Sequence, residues 1–110
     1  MPTQNTNGCS FEQLMTIAKD SFTNRHFSVA YHALAAAYHC ASDGKNESQL
    51  YIVERAAIEQ LKWIDANAPD YEHSTKSAAG RKHASIFLVL SQQAAIKSRY
   101  IALGQTSPNR

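Results

Sequence analysis

Between Asn46 and Pro69, apolar residues stand at Leu50, Val53, Ala57, Leu61 and Ile64, always three or four apart. Only an α-helix brings such positions to one face, because about 3.6 residues complete each turn. A stripe of this kind holds its helix in water only when other elements cover it. No segment reads as a strand, since the alternating stretches are short and alanine-rich. The covering elements are therefore expected to be helices too.

Two helices precede the stripe. Ser10-Phe11-Glu12-Gln13 has a capping-box form, and Phe11, Leu14, Met15, Ala18 and Phe22 then share a face. Thr23 to His26 form a polar break. A second helix runs from about Phe27 to Ser42 with Phe27, Ala30, Leu34, Ala37, Tyr38 and Ala41 inward. Asp43-Gly44 stops it, with Gly44 supplying a left-handed residue. Asn46 caps the third helix through Gln49, Trp63 flanks its stripe, and Asn67-Ala68-Pro69 ends it. After a polar connection from Asp70 to Ser77, a fourth helix is expected from about Ser77 to Leu103. The reading is an all-α, four-helix antiparallel bundle built from two hairpins. Residues 10–103 form one helical domain between a flexible N-terminal segment (1–9) and a flexible tail (104–110).

The first hairpin resembles a tetratricopeptide repeat over about residues 11–42. Leu14, Ile17 and Ala18 match the large, Leu-like and small positions of the motif's first helix, and Phe22 lies near its closing aromatic. Phe27, Ala30, Leu34 and Ala37 follow at the aromatic, small, large and small positions of the second. Arg25 replaces the usual turn Gly, and Ser42 stands where the motif ends in Pro. Because about three repeats are needed for a stable solenoid, the resemblance implies one such hairpin completed by a second.

Net charge is only +2, but it is unevenly spread. Residues 1–75 carry nine acids against five bases, and from Lys76 onward there are six bases and no acid. No aromatic is interleaved with Arg81-Lys82-His83, which argues against nucleic acid. The longest apolar run, Ile86 to Leu90, is far short of a membrane span, and the last helix lacks the clean charged face of a membrane-surface helix. The opening MPTQNTNG lacks the basic start and apolar centre of a secretory signal. Cys9 and Cys40 are accordingly expected as reduced thiols in a cytoplasmic protein, spacing alone leaving one disulfide open.

Ala30-Tyr31-His32 returns as Ala37-Tyr38-His39. Seven residues advance a helix by about 10.5 Å, too far for both histidines to reach one metal ion. His-x-Leu at His32 and Leu34 resembles the core of histidine phosphotransfer domains, which implies His32 as an alternative phosphotransfer residue. Ala35 and Ala36 stand where that family has Lys and Gly. There is no Gly-x-Ser-x-Gly and no phosphate-cradling glycine loop. The expectation is no catalytic site, no metal and no cofactor.

The fourth helix carries two further signals. Arg81 and Lys82 sit near its expected start, where cations oppose the dipole. Acids elsewhere (Glu54, Glu59, Asp65), a helix start nearer Ala84, or an anion contact at Arg81 and Lys82 would each explain them. Ile86, Phe87, Leu88, Val89 and Leu90 span about 400° of helix circumference. One neighbouring hairpin cannot cover all five, so this run is either central in the bundle or an interaction surface. The protein is thus read as a small protein–protein interaction or self-associating module, a homodimer through the fourth helix.

Overall fold

Asn46 has extended backbone and its side chain accepts the amide of Gln49 at 3.0 Å, which starts the central helix as its sequence predicts. The computed structural model describes residues 10–105, and they form α1 (Phe11–Thr23), α2 (Phe27–Asp43), α3 (Glu47–Asn67), α4 (Thr75–Gly80) and α5 (Ile86–Gln105). No described residue is in a strand. The described residues are therefore all-α, but form five helices instead of four. α1 packs on α2, α3 packs on α5, and α2 joins the two pairs.

The expected fourth helix is two helices. Ser74, fully buried, caps α4 by accepting the amide of Ser77 at 3.0 Å, and Asp65 of α3 accepts both Thr75 N–H (2.8 Å) and Thr75 O–H (2.7 Å). Ser85 then caps α5, its hydroxyl accepting the amide of Phe87 at 3.2 Å and donating to the His73 carbonyl at 2.6 Å. Two buried serines thus tie the 68–85 segment into the body and start a helix each. At the first helix, by contrast, Ser10 occupies the N-cap but makes no side-chain cap bond.

Three helices end in the same way. The residue after the C-cap has positive φ in each: Arg25 (66°), Lys45 (52°) and Lys82 (61°). The accompanying bonds are those of a Schellman motif, as in Asn46 N–H to Ala41 O and Lys45 N–H to Ser42 O. Gly44 is not the left-handed residue: α2 runs one residue further than its sequence signal, Gly44 keeps φ −84°, and the strain passes to Lys45.

The core has two parts. In the larger, Ala18, Ala33, Ala37, Ala41, Ala57 and Ala94 let four helices approach closely around Leu34, Leu50, Val53 and Leu90. The smaller is aromatic and gathers Phe22, Phe27, Trp63, Tyr71 and Phe87 around Leu61 and Ile64. Its rings meet at 5.0–6.0 Å, with Arg25 stacked 4.1 Å over Trp63. All five residues of the opening stripe are buried.

Cys40 is disulfide-bonded, which overturns the expectation of a reduced thiol. Cys9, the other cysteine of the chain, lies outside the described residues. Disulfides persist in oxidising compartments, so the cysteines no longer argue for the cytoplasm. No helix among the described residues is long and apolar enough to cross a membrane.

Candidate functional site

Helical period assigns α5 two opposite faces. Phe87, Leu90, Ala94 and Ile101 point into the core, whereas Val89, Ile96, Tyr100 and Leu103 are exposed. Val89, Ile96 and Leu103 are seven apart, so they form one ridge about 21 Å long, with Tyr100 beside its second half. Ile96 and Tyr100 keep 65% and 73% of their surface in solvent, the largest fractions among exposed large apolar residues. At the foot of the ridge a shallow hollow of about 520 Å³ is shared with Tyr38 and His39 of α2. Lys97 and Arg99 flank the ridge on either side, and Lys45 borders its far end.

The Ile86–Leu90 run is mostly spent within the chain. Phe87 and Leu90 are buried, Ile86 and Leu88 are half-buried against the aromatic cluster, and Val89 alone is exposed. Ser85 caps the helix immediately before the run, which packs on α3 and, through Phe87, on Tyr31, with only Val89 left to solvent. The exposed apolar surface lies further along, at Ile96, Tyr100 and Leu103.

Arg81 and Lys82 lie in the turn after α4, not at the start of a long helix. Arg81 donates to the carbonyls of Glu72 (2.8 Å) and Ser77 (3.4 Å), so its guanidinium braces the loop. None of the three acids weighed against it is its partner: Glu59 pairs with Arg55, Asp65 holds Thr75 and Glu54 lies on α3 without an ion pair to it. Lys82 is exposed in left-handed backbone.

His32 and His39 are both exposed on the outer side of α2, each packed edge-on against the tyrosine before it, at 5.4 and 5.2 Å. The seven-residue echo thus builds one Tyr–His contact twice. Among the described residues no three His, Cys, Asp or Glu side chains are grouped to hold a metal ion.

A second open surface lies between α1 and α3. There Met15, Ala18 and Phe22 face Ala56, Gln60 and Trp63 across a groove of about 500 Å³. Sequence periodicity identified most of these positions one helix at a time but not their meeting. Comparison with known protein families, curated proteins and solved structures yields no match for this chain.

Proposed function

We propose that this protein is a self-associating helical module that pairs through the outer ridge of α5. The observation that carries the reading is the symmetry of the ridge about Ile96. In an antiparallel pair with its two-fold axis at Ile96, Val89 meets Leu103 of a second copy and Ile96 meets its own counterpart. The same register sets Lys97 against Ala95 and Arg99 against Gln93, so no like charges stand directly opposed. A two-fold contact of this kind needs only one patch that complements itself. Heptad-spaced apolar residues are what a helix pair buries, and this ridge supplies three and a tyrosine.

The experiment is a dilution series followed by methyl NMR. Signals of Ile96 and Leu103 are expected to shift with concentration, while the methyl of Ile17, an exposed residue of α1, stays fixed. Shifts confined to Ile17, or none at any concentration, contradict the proposal.

The exposure of His32 favours one other reading, transfer of a phosphoryl group through its imidazole. Acid-labile phosphate gained from acetyl phosphate, and lost in His32→Gln, supports it. A chain that gains none rules it out.

A further inference from the structure

His39 stands at the foot of the α5 ridge. It shares the hollow of about 520 Å³ with Tyr38 of its own helix and with Gln93, Ile96, Lys97 and Tyr100 of α5. Ile96 is the residue on which the proposed two-fold axis falls, so the hollow lies against the contact. Of the five histidines of the chain, only His39 lines it.

The charges around the ring are mostly of one sign. Across the hollow stands Lys97, half-buried, which also lines the next hollow together with Lys45 and Tyr100. On α2 itself the ring packs edge-on against Tyr38 at 5.2 Å, and Asp43 follows one turn on, exposed at the end of the helix. No α1 or α3 residue lines the hollow, although both helices pack on α2. α5 carries no acid. Among the described residues His39 forms no ion pair, with Asp43 or with any other carboxylate.

Pairing through α5 changes these surroundings. A second copy laid on Ile96 takes water from the hollow and brings its own Lys97 and Arg99 towards the contact. Stripping hydration from a charge costs far more than stripping it from a neutral ring. Repulsion from Lys97 also grows as water leaves. The pair therefore favours the neutral imidazole, and histidine is the side chain whose charge changes between pH 5 and 8. By linkage, separate copies bind more protons than the pair does, so association is strongest above that range and weakens as pH falls through it.

We infer that, given the α5 pairing proposed above, on which this rests, His39 senses pH for self-association: its protonation loosens the contact. His32 lies seven residues earlier, outside the hollow, and takes no part.

The test is sedimentation equilibrium at about pH 8 and about pH 5.5, at one fixed ionic strength. The wild-type association constant should fall about three- to tenfold at the lower pH, as two ring charges enter the contact. His39→Gln takes no proton there and should keep one constant at both pH values. His39→Lys, charged at both, should pair no better at the higher pH than at the lower. His32→Gln should respond as the wild type does. Wild-type pairs of equal strength at both pH values overturn the inference while the α5 reading stands. So does a response that persists in the His39 variants, or one that disappears in His32→Gln. A wild-type chain at the mass of one copy at both pH values overturns the reading and the inference together.

Discussion

The two parts of the core solve the same problem with opposite materials. Around the middle of α2, Ala30, Ala33, Ala37 and Ala41 are buried and bring helix backbones together. At the other end, rings from α1, α2, α3, the 68–74 segment and α5 fill the space that the backbones leave. A seam of small residues has no room for extra atoms, whereas a cluster of rings loses most when atoms are removed. Close approach in one place and bulk in the other also leave the α1–α3 groove open: Ala18 and Ala56 line it and Phe22 and Trp63 close its end.

That contrast is open to attack by substitution, and the largest effect falls at the rings. Phe87 is completely buried, so Phe87→Ala should cost about 3–5 kcal/mol of unfolding free energy in a denaturant titration. Ala37→Leu tests the seam in the opposite sense and should cost about 1–3 kcal/mol through overpacking. If Ala37→Leu is neutral, the seam is not close-packed. Gln60→Leu, between the two regions, should raise stability by about 1–2 kcal/mol, because it removes an unpaired buried acceptor.

The smallest pair compares two left-handed turns. Lys45→Gly relieves about 1–2 kcal/mol of left-handed strain, less the greater unfolded-state freedom of glycine, for a net gain of about 0.5–1 kcal/mol. Arg25→Gly relieves the same strain but gives up the stacking on Trp63, which is worth about 0.5–1 kcal/mol. Its melting temperature should stay close to that of the wild type. Equal gains at both turns would show that Arg25 contributes nothing to the aromatic end.

The alanine seam was legible because its signal is local: a stripe at Ala30, Leu34, Ala37 and Ala41 needs only the helical period. Asn46, capping Gln49, was legible for the same reason. The division of the last helix was read only as one of three alternatives, a start nearer Ala84, close to the observed start at Ile86, although Ser85 before an apolar run is the same kind of signal as Asn46. Gly44 misled because a glycine near a helix end suits the left-handed position, and one further turn residue moved that position to Lys45. The aromatic end required residues from Phe22 to Phe87 to be brought together, which no period predicts. Gln60 was visible as a polar residue on an apolar stripe, one place before Leu61, and that irregularity is the sequence trace of the groove. Charge asymmetry pointed to the C-terminal third, but its nearest basic residues, Arg81 and Lys82, lie in a turn, and the open ridge stands beyond them on α5.

Self-association through α5 has a characteristic salt response. With Lys97, Arg99 and Lys45 gathered near the contact and no acid on α5, added salt screens repulsion between copies. The dimer should tighten by about two- to fivefold from low to high ionic strength. An acidic partner on the same ridge would weaken instead.

The central claim is tested most directly by sedimentation equilibrium of the wild-type chain and Ile96→Glu over the same rising concentrations. The wild type should climb from 12.2 kDa towards twice that mass. Ile96→Glu, which sets two unpaired carboxylates at the two-fold axis, should associate at least about tenfold more weakly. A wild-type chain that stays at the mass of one copy throughout, or a variant that associates as well as the wild type, contradicts the account.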